Sequence, residues 1–215
     1  MFLNLKKIMN YLINNFNEIL NLTYTHIYIT ILSTIPSIIL GIILGIIFSR
    51  KSLIKIGKVL LNVFGIFQSI PSIAFVALIF VYTGIGVKTV VLALFAYSIV
   101  PVIYNTTSSL MLIPEDLIEA GLGMGLNKRD ILFKIELPLS LKGIFSGIRT
   151  SLTINIATAT VATVIGVDTL GKIILIGLRV RRFDMLWIGG IFVAIIAIVF
   201  DLILEKIEGK SLRWV

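Results

Sequence analysis

The sequence predicts an all-α fold: a polytopic membrane helical bundle of about five transmembrane helices, with a helical cytoplasmic segment between two of them. Three observations predict it. The 215 residues are 58% hydrophobic and only 14% charged, with a mean hydropathy of +1.07, whereas a soluble domain carries roughly 25% charged residues. The apolar residues run in stretches of about 20, the length that crosses a hydrocarbon layer of about 30 Å. Those stretches are continuous rather than alternating, and backbone in lipid must satisfy its own hydrogen bonds, which favours helices over a barrel. Composition also excludes chemistries. There is no cysteine and a single histidine, His26, so disulfides, thiolate centres and a His-rich metal site are excluded, and no cofactor is expected. The net charge of +8 belongs to loop lysines and arginines of a membrane protein rather than to a nucleic-acid surface.

Taken in order, residues 2–20 place Leu5, Ile8, Leu12, Phe16 and Ile19 at three- and four-residue spacings, with Lys6, Lys7, Asn14 and Glu18 elsewhere. This is an amphipathic helix at the interface or against the bundle. No long apolar core precedes a small-residue cleavage site, so residues 1–22 are expected to be retained. The first span covers 27–48, and its Gly41 and Gly45 form a GxxxG pair that either packs a neighbouring helix closely or recurs by chance. Arg50, Lys51, Lys55 and Lys58 follow and favour the cytoplasmic side. The second run, 59–81, is broken by Gln68-Ser69-Ile70-Pro71-Ser72. Proline removes a donor and biases its predecessor away from helix, so polar groups sit at bilayer depth, either as a packing kink or on a solute path through Gln68, Ser69 and Pro71. The third span, 87–104, contains Pro101, and Asn105, Thr106 and Thr107 are read as its exit cap.

The segment 114–142 is the longest polar interruption. Pro114-Glu115-Asp116 looks like a helix start, Gly121, Gly123 and Gly125 weaken a helix and permit close contact, and Leu137-Pro138 ends the second half. A helix, a turn and a second helix between two spans imply docking to a partner. The fourth span, 148–167, places Ser151, Asn155, Thr158 and Ala162 on one face, which serves either as interhelical glue or as a pore lining. The fifth, 185–204, is plain, with Trp187 and Trp214 near its ends. With the N-terminus outside and the C-terminus, including the tail 209–215, in the cytoplasm, inner segments hold eleven lysines and arginines against seven outside, a weak bias in favour of this orientation. None of the eleven acidic residues falls at the middle of a span. That disfavours proton coupling and a membrane-embedded enzyme, the remote alternative. No GxxxxGK[ST] loop occurs either, so energy must come from another subunit.

Glu119-Ala120, then Gly125, then Ile135-x-Leu137-Pro138 resembles the cytoplasmic coupling motif of binding-protein-dependent ABC-transporter permeases, with Gly121 departing from the usual alanine. Gln68-Ser69-Ile70-Pro71-Ser72, Tyr104-Asn105-Thr106, Gly123-Met124-Gly125, Glu136-Leu137-Pro138-Leu139 and Gly147-Ile148-Arg149-Thr150 resemble the osmoprotectant branch, which handles glycine betaine, carnitine or choline. The resemblance covers about residues 23–208. It implies a bacterial cytoplasmic-membrane importer with a second permease subunit, cytoplasmic ATP-binding subunits and a separate extracytoplasmic substrate-binding protein, working by alternating access. A permease for amino acids is the near alternative. By the same resemblance Glu119, Ala120, Gly121, Gly125, Ile135, Leu137 and Pro138 couple to the ATPase. Gln68, Ser69, Pro71, Tyr97, Tyr104, Asn155 and Thr158 are candidates for the path, the tyrosines because aromatic faces attract quaternary amines. The branch also shows a Gly-x-Gly-Gly-Leu-Gly run after the fourth span, where this chain reads Gly166-Val167-Asp168-Thr169-Leu170-Gly171, which puts the flexibility of the outer gate in question.

Overall fold

Ten α-helices, one π turn and one 3₁₀ turn make up the regular structure among the described residues, which are 5–67 and 69–211 of a computed structural model. They are α1 Leu5–Asn14, α2 Phe16–Phe48, α3 Ile54–Phe67, α4 Ser72–Thr83, α5 Val87–Met111, α6 Glu115–Gly123, α7 Lys128–Ile131, a π turn Leu132–Glu136, α8 Leu137–Ala159, a 3₁₀ turn Thr160–Ile165, α9 Gly171–Arg179 and α10 Phe183–Ser211. Three of them, α2, α5 and α10, are long and apolar enough to cross a membrane by themselves.

The five expected spans map onto these helices with corrections. The second is broken at the proline as expected, into α3, of 14 residues and starting earlier at Ile54, and α4, of 12, each short of a bilayer's thickness. The third does not end at Tyr104. α5 continues through Asn105, Thr106 and Thr107 to Met111, because α2 covers Thr106 and Thr107 and spares them a solvent exit. The fourth begins eleven residues earlier than hydropathy places it, since α8 starts at Leu137, and it closes in a 3₁₀ turn. The amphipathic stretch breaks at Asn15, so Phe16 and Ile19 belong to α2. Trp214 and Gln68 lie outside the described residues.

α5 is the axis of the bundle, held between two glycine pairs. From α2, a Cβ on Gly41 would lie 2.7 Å from Val102 Cβ and one on Gly45 would lie 2.5 Å from Thr106 Cβ. From α8, a Cβ on Gly147 would lie 2.9 Å from Asn105 Cβ, and one on Gly143 would collide with Ser109. The backbones therefore approach as closely as only glycine permits. The pair Gly41 and Gly45 packs a neighbouring helix, which resolves that alternative; the second pair was not anticipated.

The buried face of α2 is polar toward one end and glycine toward the other: His26, Thr30, Ser33, Thr34 and Ser37, then Gly41 and Gly45. The hydroxyls of Thr30, Ser33 and Ser37 each donate to the carbonyl four residues back at 2.8 Å, so they enter an apolar interior already satisfied. Apolar packing is concentrated at the α9 end. One cluster joins Ile19 and Leu22 of α2, Ile156 of α8, Ile173 of α9 and Ile188 of α10; another joins Ile29, Val76, Leu94 and Ala162. The outward faces of α2 and α10 stay apolar, with Ile39, Ile43, Ile198 and Leu202 exposed, as a lipid-facing surface requires.

Candidate functional site

The segment 114–142 folds into an elbow whose angle is fixed by its glycines and its cap. α6 ends in a Schellman motif: the N–H of Leu126 reaches the carbonyl of Gly121 at 3.1 Å, and that of Gly125 reaches Leu122 at 2.9 Å. Gly125 stands at the left-handed position with φ of +83°, where a side chain would be strained. α7 starts at once, its first N–H groups taken by Asn127 Oδ1, from Arg129 at 2.9 Å and Asp130 at 3.0 Å. The chain then runs through the π turn into α8 without a break. Gly121 is buried because α6 folds back on this second helix: a Cβ there would lie 2.7 Å from Ile135 Cδ1.

This geometry sorts the predicted coupling residues. Glu119, Ala120 and Gly125 are exposed, together with Leu122 and Met124, and form a surface free to meet another protein. Gly121 and Ile135 face each other inside the elbow. Leu137 and Pro138 are half-buried at the start of α8, where proline loses no intrahelical donor that the π turn had not already disturbed.

Sequence reasoning missed what ties the elbow to the bundle. Arg50, just beyond α2, donates from Nη1 to both Glu136 oxygens, at 2.8 and 3.1 Å, and from Nε to the carbonyl of Ile46 at 3.1 Å. Glu136 is 8% exposed. Lys51 pairs with Glu115 at the start of α6, and the hydrogen bond to that carboxylate raises the Lys51 ammonium above its ordinary range. Lys134 pairs with Asp130 one turn back at 2.8 Å and lowers the aspartate's pKa. The first two contacts span 86 and 64 residues. The only sequence signal was the concentration of opposite charge in the two segments, 50–58 and 115–136.

The path candidates do not gather at one place. Ser69 and Pro71 are exposed at the break between α3 and α4. Tyr97 lies beside them, its hydroxyl donating to the carbonyl of Ile70 at 2.8 Å, which satisfies backbone freed by the proline. Its ring packs with Phe67 and Phe75 at centroid distances of 5.9 and 5.6 Å. Tyr104 is 39% exposed on α5. Asn155 is fully buried among α2, α5 and α8, its amide donating to Thr34 at 2.8 Å, Ser98 at 3.0 Å and Ser33 at 3.2 Å. Thr158 is buried one turn on. The Asn155 contacts join α8 to α2 and α5. Gln68 lies outside the described residues.

Beyond α8 the departure from the glycine run has a visible result. Thr169 is fully buried and donates to the carbonyl of Ala159 at 2.8 Å. Asp168 is exposed and pairs with Lys172 at 2.6 Å, and Lys172 also approaches Glu18 at 3.7 Å. Near the other end of α10, Arg149 of α8 binds Asp201 through two nitrogens, at 2.8 and 2.9 Å.

Comparison with known proteins places these elements. Residues 37–211 match the family model described as binding-protein-dependent transport system inner membrane component. The choline transport system permease protein of Bacillus subtilis is 34% identical over 203 residues, covering 94% of this chain and 93% of that protein. The osmoprotectant import permease protein of Salmonella typhimurium is 33% identical, covering 93% and 94%. The carnitine transport permease protein of Listeria monocytogenes is 36% identical over 154 residues, covering 72% and 71%. Among solved structures, an inward-facing conformation of the MetNI methionine ABC transporter superposes with a TM-score of 0.76 at 20% identity, covering 89% of this chain and 95% of that one. That likeness carries the fold alone.

Proposed function

The chain belongs to the binding-protein-dependent transport system inner membrane components and is the membrane permease subunit of an ABC importer; from that premise we propose that it admits small quaternary-amine osmoprotectants such as choline, glycine betaine or carnitine. The observation that carries this reading is the match over more than nine tenths of both chains to relatives whose names specify choline or osmoprotectant import. An ABC importer permease works with ATP-binding and substrate-binding partners. In our reading two permease subunits form the pathway and a separate extracytoplasmic protein delivers the solute.

The elbow supports a role in coupling. Its exposed surface, with Glu119, Ala120 and Leu122, is where an ATP-binding subunit would dock, and its buried side, with Gly121 against Ile135, keeps α6 rigid on the helix that becomes α8. A push on α6 therefore moves α8 as a lever, and the Arg50 contact to Glu136 carries the same motion to α2. In this orientation the elbow is cytoplasmic, and α1 and α9 lie at the extracytoplasmic end. We place the solute path beside the break at Ser69 and Pro71, with Tyr97 and Tyr104 offering aromatic faces to a cation, and give Asn155 and Thr158 the task of holding α2, α5 and α8 together.

Reconstitution with its cognate subunits in proteoliposomes tests the proposal. Uptake of labelled choline, glycine betaine or carnitine is expected to need internal ATP and to resist competition by amino acids. Uptake driven equally well by a proton gradient without ATP overturns the mechanism, and competition by amino acids alone overturns the solute class. Charge reversal by Glu119→Lys is expected to leave ATP hydrolysis running while transport falls about tenfold or more, the loss of a charge-assisted contact; unchanged transport removes Glu119 from the docking surface.

A further inference from the structure

The carbonyl that α8 releases as it tightens at its far end is taken by a side chain. An α-helix gives the carbonyl of residue i to the N–H of i+4, whereas a 3₁₀ turn gives it to i+3. At Thr160 the N–H turns to the carbonyl of Ala157, so the carbonyl of Ile156 loses its intrahelical partner. His26 Nε2, on α2, lies 3.0 Å from that oxygen, and both residues are buried, His26 at 0% and Ile156 at 2% exposure. A carbonyl only accepts, so this nitrogen carries the hydrogen, leaving Nδ1 bare and without a partner among the described residues. Three residues on, the carbonyl of Ala159, which opens the 3₁₀ turn and is given to the N–H of Ala162, also accepts from the Thr169 hydroxyl at 2.8 Å. That hydroxyl also lies 3.2 Å from Thr163 Oγ1.

Two further features hold Thr169 in place. Gly166, with φ of +82°, ends the 3₁₀ turn in the left-handed region, and Gly171 sits so close to the carbonyl of Thr160 that no Cβ would fit. In the alternative in which α8 runs on as an α-helix, the N–H groups of Thr160 and Thr163 would take the same two carbonyls. The Ile156 carbonyl can therefore exchange its side-chain donor for a backbone donor, and the Ala159 carbonyl one backbone donor for another, without an acceptor left bare, the requirement for a two-state element in a packed interior.

We propose that His26 and Thr169 are positioning residues that hold Thr160–Ile165 in the 3₁₀ form and so set how readily the extracytoplasmic end of α8 opens during transport. The proposal rests on the import cycle and the orientation inferred above. It is tested on the complete transporter, in lipid nanodiscs by amide hydrogen exchange of residues 157–171 and in proteoliposomes by the ATP hydrolysed per solute imported. Thr169→Val and His26→Leu are expected to speed exchange of this stretch about tenfold and to raise the ATP used per solute, whereas His26→Gln, whose amide can donate to the same carbonyl, stays within about twofold of the unmodified protein. Unchanged exchange in both Thr169→Val and His26→Leu overturns the proposal. Equal acceleration in His26→Gln and His26→Leu overturns the role of the histidine hydrogen bond. Should His26→Leu fail to assemble, the isosteric Thr169→Val decides alone. Exchange is read without solute or ATP, so a wrong solute class leaves this result standing, and unchanged exchange leaves the import reading standing.

Discussion

At the residue scale the contact between Arg50 and Glu136 ties the end of α2 to the elbow. Glu136 is nearly buried, while about a third of the Arg50 side chain meets solvent, so screening reduces the value below that of a fully interior pair. Arg50→Ala leaves a buried carboxylate with no partner and is expected to destabilise the permease by about 2 kcal/mol. The exchange of both charges, Arg50→Glu with Glu136→Arg, is expected to restore part of that loss, read as a non-zero coupling energy in a double-mutant cycle on thermal unfolding; strictly additive losses refute a direct pairing. A smaller effect belongs to Asp130. Lys134 holds its carboxyl below the ordinary 3.8, and a lowered carboxyl contributes stability above its unfolded pKa that is lost as pH falls through the folded one. The α7 turn is therefore intact at neutral pH and loosens only in acid below 3.8. Lys134→Met is expected to return the Asp130 titration to the ordinary range by carboxyl NMR, and an unshifted midpoint denies the pairing.

At the scale of elements, the close packing of α5 against two glycine pairs governs stability. Gly45→Val and Gly143→Val each push side-chain volume against α5 backbone or a short side chain, where little can yield, and are expected to cost about 2–3 kcal/mol. Gly190, on the open face of α10 with nothing within 4 Å of its would-be Cβ, is the control: Gly190→Ala is expected to be neutral or to stabilise by up to about 1 kcal/mol through helix propensity. Melting temperatures in one detergent compare the three, and a loss at Gly190 as large as at Gly45 would show that propensity, not packing, had been read. The elbow behaves differently. The one tight contact of a Cβ at Gly121 would be the far end of the flexible Ile135 side chain, so Gly121→Ala is tolerated, whereas Gly125→Ala costs about 1 kcal/mol because its φ is positive.

At the scale of the whole molecule, the absence of cysteine makes orientation directly measurable. Met124→Cys on the exposed tip of the elbow and Phe183→Cys at the start of α10, 74% and 58% exposed as they stand, lie at opposite ends of the bundle. In intact cells a membrane-impermeant maleimide is expected to label the second and spare the first until the membrane is opened. The reverse pattern would invert the topology and move the elbow away from any ATP-binding subunit. Both positions are remote from the packed interior, so the labelled protein should retain its fold.

The sequence by itself determined the membrane class, the helical architecture, the elbow between two spans and the family, because each depends on signals that are local in the chain: hydropathy over one span, glycine and proline at turns, and a motif within twenty residues. Even there, hydropathy placed the start of α8 and the end of α5 wrongly, since a helix stops where neighbours cease to cover it, not where apolar residues end. Only the tertiary structure decided which polar residues face inward. Asn155 and His26 lie in ordinary apolar surroundings along the chain, and their partners are Thr34 and Ser98 for the first and the Ile156 carbonyl for the second, all on other helices. The partner of Glu136 is likewise set by how α2 meets the elbow. Hydrogen bonds and ion pairs form over about 3 Å in space, a distance that sequence separation does not encode, so the contacts joining the elbow to α2 and α2 to the far end of α8 emerge only once the helices are packed.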